Sequence, residues 1–232
     1  PHLERVHDVL APTLPGHAGG APVACDAGAD ELTDALELML DRAGIATAHV
    51  VGNSLGGYLA LRLAMRGRAR SVVALAPAGG WTGGDDAADA TLGHFSAMQE
   101  ALRVAAPHAD AIAASAEGRR RATQSIVEDD SLIPPALLAH MIVGAARCEA
   151  AERLVRSARR DGWSLSPERI ACPVRIVWGT ADRLLGWPGA AARYLDEWCP
   201  GADWVLLDGA GHCPQLERPL EVAQLILGVS AR

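Results

Sequence analysis

The sequence predicts an α/β protein: a mostly parallel central sheet flanked by helices, with a helical lid inserted after the strand ending near Ala76. Three observations carry this reading. Short apolar runs of strand character alternate with amphipathic helical stretches in both outer parts of the chain. The alternation stops between Gly80 and Pro167, where only helical patches occur. Glycine- and proline-rich punctuation falls at the junctions. Strands that alternate with helices pair in parallel, and the crossover helices cover both faces of the sheet.

The elements follow in order. Val6 to Leu10 reads as a short strand, followed by the turn-rich run from Pro12 to Gly20. A helix is predicted from about Asp30 to Ala43, because Leu32, Leu36, Met39, Leu40 and Ala43 share one face and Gly44 stands at its C-terminal end. His49-Val50-Val51 reads as a buried strand, Ser54 to Met65 as a helix, and Ser71 to Ala76 as an apolar strand closed by Pro77. Past the interruption, Val174 to Trp178 is the next strand and a helix follows with Pro188 near its start. Trp204 to Leu207 is a further strand, and a last helix opens at Pro219. The interruption holds helical patches at Ala87 to Ala106, Ala109 to Arg121 and Pro135 to Arg160. Residues 1–80 and 168–232 therefore read as the core and 81–167 as the lid.

Composition removes several chemistries. All 21 basic residues are arginine, so no lysine is present for a phosphate-binding loop, a Schiff base or a kinase site. A formal net charge of −7 argues against nucleic acid as a main partner, and Arg66 to Arg70 and Arg119 to Arg121 read as solvated faces and turns. Cys25, Cys148, Cys172, Cys199 and Cys213 are scattered, with no CxxC pair, which is poor material for a disulfide framework or a zinc site. Free thiols point to a reducing compartment and hence to the cytoplasm. No apolar run approaches the ~18 residues of a membrane span.

The strongest chemical signal is His49-Val50-Val51-Gly52-Asn53-Ser54-Leu55-Gly56-Gly57-Tyr58. A strand runs through G-x-S-x-G straight into a helix, the arrangement of a nucleophile elbow, which presents a serine hydroxyl at the top of a sheet. The flanking glycines are expected because a Cβ would strike the neighbouring strand or helix, and the helix N-terminus favours negative charge developing near Ser54. A serine needs a base, and the base an orienting acid. Asp182 follows the strand Val174 to Trp178, and His212 follows Trp204 to Leu207 inside Gly209-Ala210-Gly211-His212-Cys213-Pro214. Both stand past the C-terminal ends of strands, where open α/β sheets gather their sites. Rival histidines have weaker settings: His49 lies within a strand, His17 in a Pro-Gly turn, and His94, His108 and His140 in the insertion.

In these residues the chain resembles the α/β-hydrolase fold superfamily, in its lid-bearing esterase and C–C hydrolase branch. The resemblance covers nearly the whole chain. Ala11 to His17 is similar to the segment after the family's fourth strand, Gly52 to Gly56 to its elbow, and Trp178 to Arg183 to its acid loop. Gly211 to Pro214, with Glu217 and Pro219, is similar to its histidine loop. Thr13 stands where an aspartate is common, and Ala18 where a glycine is. Some relatives carry the acid after the preceding strand, but here no carboxylate follows Ala76 until Asp85, which leaves Asp182. The family's oxyanion hole implies the backbone N–H of Leu55 as one donor. A second comes from a His-Gly loop after the third strand, and this sequence has no His-Gly dipeptide. The match begins at the fourth strand, so the resemblance implies about 30 or more residues ahead of Pro1.

The implied reaction is acyl transfer by Ser54, His212 and Asp182 on a small or medium carboxylic ester, without cofactor or metal. C–C, lactone and thioester hydrolysis use the same three residues, and a non-catalytic ligand receptor is the reading from another class. Epoxide hydrolases and haloalkane dehalogenases of this fold carry aspartate at the elbow, where this chain has serine. Substrate choice is assigned to the insertion, with Trp81, Phe95, Met98, Met141, Trp163 and, beyond the acid, Trp187 as candidate pocket walls. The partner implied is a small acyl molecule, with no membrane involved.

Overall fold

The structure is a computed structural model that describes residues 2–23, 28–81 and 84–231, with 84–88 described by backbone alone. Its sheet has four strands, β1 (Ala48–Asn53), β2 (Ala69–Leu75), β3 (Val174–Gly179) and β4 (Asp203–Leu207), in the order β1-β2-β3-β4. All three pairings are parallel. α1 (Ala29–Arg42) precedes β1, α2 (Leu55–Met65) links β1 to β2, and the insertion between β2 and β3 is helical. It comprises α3 (Gly84–Ala105), α4 (Ala109–Ala114), α5 (Ala116–Thr123), α6 (Pro135–Ala146) and α7 (Ala151–Asp161). After β4 come the short α8 (Pro214–Glu217) and α9 (Pro219–Ser230). Cys25 and the Gly83 end of the Gly83–Asp86 punctuation lie outside the described residues. Among the described residues no helix is long and apolar enough to cross a membrane.

Period-two alternation of the strands builds two cores. Val72, Ala74, Ile176 and Trp178 point to one face, where they pack with Tyr58 and Leu61 of α2 and with Tyr194 and Trp198. Val73, Leu75, Val177 and Leu207 point to the other and pack with Val222 and Ile226 of α9. A separate cluster inside the insertion joins Ala113, Val127, Ile133, Leu138 and Ile142, so the insertion has its own apolar centre.

Several expected elements come out differently. Val6 to Leu10 is not a strand: Val6 and His7 donate to Leu3 O in a turn, and Val6, Val9 and Leu10 are exposed. A strand needs a ladder neighbour, and among the described residues none pairs with this segment. The helix expected after Pro188 is a 3₁₀ turn, Gly189–Ala191, running on to a π-helical turn, Tyr194–Trp198. Tertiary bonds accompany the irregularity: Arg193 N–H donates to Gly80 O (2.8 Å) and Tyr194 O–H to Ala78 O (2.6 Å). The patch Ala109 to Arg121 is split at Ser115, whose hydroxyl caps α5 by accepting from Gly118 N–H. The patch Pro135 to Arg160 is split between α6 and α7, where Ala150 N–H donates to Gly16 O.

Candidate active site

Ser54 occupies the turn between β1 and α2 with φ +55° and ψ −119°, a left-handed conformation that costs a non-glycine residue about 1–3 kcal/mol. Neighbouring backbone enforces it. Ser54 N–H donates to Leu75 O (2.9 Å), and Ser54 O accepts from Tyr58 N–H and Ala78 N–H (both 3.1 Å). The first glycine of G-x-S-x-G is required, since a Cβ on Gly52 would collide with the backbone of Gly56 and Gly57. Gly57 is tight as well, its missing Cβ falling 3.0 Å from Pro77 Cβ. The second glycine of the motif departs from expectation: a Cβ on Gly56 would meet nothing within 4 Å. Close packing at the elbow thus rests on Gly52 and Gly57. Leu55 opens α2, so its N–H is among the leading amides that have no intrahelical acceptor.

Asp182 and His212 are brought together at the ends of β3 and β4. Asp182 is 5% exposed and His212 2%. Asp182 Oδ1 accepts from the backbone N–H groups of Leu184 (2.9 Å) and Leu185 (2.7 Å), which aims Oδ2 at His212 Nδ1, 2.8 Å away. An ionised carboxylate only accepts, so Nδ1 must carry the proton and Nε2 is left bare. Nε2 is buried and has no hydrogen-bond partner among the described residues. The bond to Asp182 therefore fixes the orientation of the ring and leaves Nε2 as the nitrogen that the acid does not engage. Gly179 makes the approach of the two loops possible, because a Cβ there would run into the carbonyls of Ala210 and Gly211.

The histidine loop is tied to the insertion. The buried carboxylate of Glu217 accepts from Gly211 N–H, from Glu128 N–H (3.0 Å) and from Asp129 N–H (3.2 Å), while Cys213 N–H donates to Ile126 O (2.7 Å). From the acid loop, Arg183 reaches Gln124 O and the Glu128 carboxylate. Cys213, next to the histidine, has its thiol pushed up to about 12 by burial and stays neutral.

Ser54 and Leu55 line a cavity of about 210 Å³ that reaches under the insertion. Of the expected walls, Phe95, Met98 and Trp163 line it, and Trp81, Met141 and Trp187 do not. Trp81 stacks edge-on against Trp163, 5.5 Å between centroids, and Trp187 is drawn into the sheet's own core between Trp178 and Trp204. Met141, on α6, is half-buried. Sequence reasoning missed the α7 stripe of Ala151, Leu154, Val155 and Ala158, which lines the opposite wall. The signal was present, since these apolar residues recur at i, i+3, i+4 and i+7 among arginines. Among the rival histidines, His49 bonds Ser71 within the sheet and His17 bonds Pro15 O beside the cavity. His94, His108 and His140 are exposed and do not line it. Among the described residues no group of three or more His, Cys, Asp or Glu is gathered as a metal site.

The model of the alpha/beta hydrolase family matches residues 1–225. The epoxide hydrolase EphH of Mycobacterium tuberculosis is 35% identical over 196 residues, which cover 84% of this chain and 91% of the relative. Among solved structures, a meta-cleavage product hydrolase (CumD) from Pseudomonas fluorescens matches with a TM-score of 0.70 at 21% identity, covering 99% of this chain and 81% of that one. An enol-lactonase from Burkholderia xenovorans matches with a TM-score of 0.63 at 20% identity, covering 94% of this chain and 79% of that one. The chain belongs to the alpha/beta hydrolase family and is a hydrolase.

Proposed function

We propose that the chain is a serine hydrolase of small or medium carboxylic esters, with Ser54 as nucleophile, His212 as general base and Asp182 as the acid that orients it. One observation carries the reading: a buried histidine whose Nδ1 is committed to Asp182 has an unpartnered Nε2, and the strained Ser54 directly follows Asn53, whose amide bonds the His212 carbonyl. In the reaction, Ser54 Oγ attacks the acyl carbonyl and passes its proton to Nε2. Asp182 stabilises the imidazolium, and Leu55 N–H receives the developing oxyanion. The protonated His212 then gives that proton to the leaving alkoxide. Water, deprotonated by His212, cleaves the acyl-enzyme and restores Ser54. The helical insertion, residues 81–167, acts as a lid that shapes the acyl site.

The cavity supports a neutral acyl group. Its walls are mostly apolar, and among the lining residues Glu152 carries a formal charge while no arginine is present. A carboxylate on the substrate would be desolvated there without a cation. This disfavours dicarboxylate substrates of C–C cleavage and leaves esters, lactones and thioesters as the neutral candidates. Epoxide hydrolysis is disfavoured by the nucleophile itself. Opening an epoxide with serine leaves an ether, which water does not cleave, whereas a carboxylate nucleophile would leave a hydrolysable ester.

Covalent labelling by a fluorophosphonate probe tests the assignment. The chain should be labelled, and Ser54→Ala should not. A folded sample that is never labelled would overturn it in favour of a ligand receptor on this fold. A panel of p-nitrophenyl esters of rising chain length then defines the acyl group.

A further inference from the structure

Asn53, between Gly52 and Ser54, uses the full bonding capacity of its side chain. Nδ2 donates to Leu75 O (3.0 Å) and to His212 O (3.0 Å), and Oδ1 accepts from Gln215 Nε2 (3.2 Å) and Cys213 Sγ (3.2 Å). A primary amide offers two donor hydrogens and an oxygen with two lone pairs, so every site is filled. We infer that Asn53 is a positioning residue that sets the separation between Ser54 Oγ and His212 Nε2. The inference rests on the serine-hydrolase reading above and deepens it.

The geometry makes the role specific. Leu75 O accepts from both Asn53 Nδ2 and Ser54 N–H, so the amide and the nucleophile share one anchor on β2. From that anchor the amide crosses to the histidine loop, where it holds the backbone of His212 and the side chains of Cys213 and Gln215. Asp182 fixes the imidazole at its ring, and Asn53 fixes the same residue at its carbonyl. His212 is thereby located at two points, one referred to β3 and one to the nucleophile's own strand. Nε2 has no partner in this structure, so no bond to the serine defines the spacing. The two donors face two carbonyl oxygens, a demand that aspartate, serine and leucine at this position do not meet. Cys213 suits its part, since burial keeps it a protonated thiol able to donate.

The test compares wild type, Asn53→Ala and Asn53→Asp with Ile226→Ala, a core variant on α9 that lowers stability away from the site. Fluorophosphonate labelling rates across pH, ester kcat and KM, and melting temperatures are measured on the full chain. Labelling rate and kcat should fall about 10- to 100-fold in both Asn53 variants, as for a misplacement near 1 Å. KM should stay within about twofold, because the amide is not part of the cavity wall and ground-state binding is left intact. Asn53→Asp should also move the acid limb of the labelling profile up by about one pH unit, because a carboxylate beside His212 favours its charged form. Asn53→Ala should not. If either variant fails to fold, Gln215→Leu removes one donor to Oδ1 and should slow labelling about threefold, the effect of one modest hydrogen bond. Wild-type rates in the Asn53 variants would overturn the inference. A loss no larger than that of Ile226→Ala at equal melting temperature would also overturn it. An unlabelled wild-type chain would instead overturn the underlying serine-hydrolase reading, and this inference with it.

Discussion

Val51 of β1 and Val73 of β2 are register partners in neighbouring parallel strands, yet Val73 is 2% exposed and Val51 40%. β2 is buried from Ser71 through Leu75, whereas β1 is covered only in part. Beyond β1 lies a mainly apolar groove of about 510 Å³, whose lining includes Leu3, Val9 and Leu10 of the N-terminal segment and Leu36 and Met39 of α1. Among the described residues no strand pairs with that edge of β1. The strand that carries Ser54 is thus less buried than the strand beside it. Its position comes from specific tethers: the ladder to β2, the bond from Ser54 N–H to Leu75 O, the close approach at Gly52 and the four-bond amide of Asn53. Among the described residues, burial secures β2, and hydrogen-bond geometry secures β1, which leads into Ser54.

That contrast can be broken or sharpened by substitution. The largest effect belongs to the chemistry. Ser54→Ala should lower kcat by about 10⁶ while the melting temperature holds, since alanine keeps the same Cβ and backbone conformation. Asp182→Asn should cost about 10⁴ in kcat, because an amide allows the wrong imidazole tautomer. Steady-state kinetics beside thermal melts check both. At the centre the expected effect is on stability. Trp178→Ala removes a fully buried ring whose Nε1–H donates to Leu185 O (2.9 Å), and it should cost about 3–5 kcal/mol in a urea titration. Val51→Ala on β1 should stay within about 0.5 kcal/mol. Equal losses at the two positions would erase the distinction between the fully buried strands and β1.

The elbow glycines sharpen the contrast further. Gly52→Ala should abolish folding or activity, because its methyl lands on the Gly56 backbone. Gly56→Ala should leave stability unchanged or raise it by at most about 1 kcal/mol, as alanine favours a helix and the space is open. The smallest effect concerns pH. His49, on β1, is held below its ordinary value by burial first, then by the nearby His7 and Arg70. In the unfolded chain it takes up a proton near pH 6.5, and in the folded chain only at lower pH. Its contribution is therefore present above about pH 6.5 and lost as pH falls below it. Urea midpoints measured from pH 7 to 5 should fall less steeply in His49→Asn than in wild type.

Much of this was readable in residues alone. Apolar runs at Val72 to Leu75 and Val174 to Trp178 are strands because both faces of a parallel sheet are covered, which removes any need for polar alternation. The elbow was legible because a strand, a glycine spacing and a helix coincide around Ser54. The loops bearing Asp182 and His212 were legible because each follows a strand end. Val6 to Leu10 has strand composition but, among the described residues, no ladder neighbour, and pairing is a property of two segments, never of one. The run after Pro188 leaves α geometry where Arg193 and Tyr194 bond the backbone of Gly80 and Ala78, more than a hundred positions earlier. Trp187 was an attractive pocket wall by residue type, yet the core between Trp178 and Trp204 claimed it.

By itself, the sequence determined the fold class, the order of the four strands that form and which residue types stand at their ends, because periodicity and turn chemistry are local. It also ruled out lysine chemistry outright. Only the tertiary structure decided that His212 Nδ1 is committed to Asp182 with Nε2 unpartnered, that Gly52 is sterically required and Gly57 tightly placed while Gly56 has open space, and that Asn53 joins three parts of the chain. Those are matters of distance between segments far apart in sequence, and no local pattern encodes them.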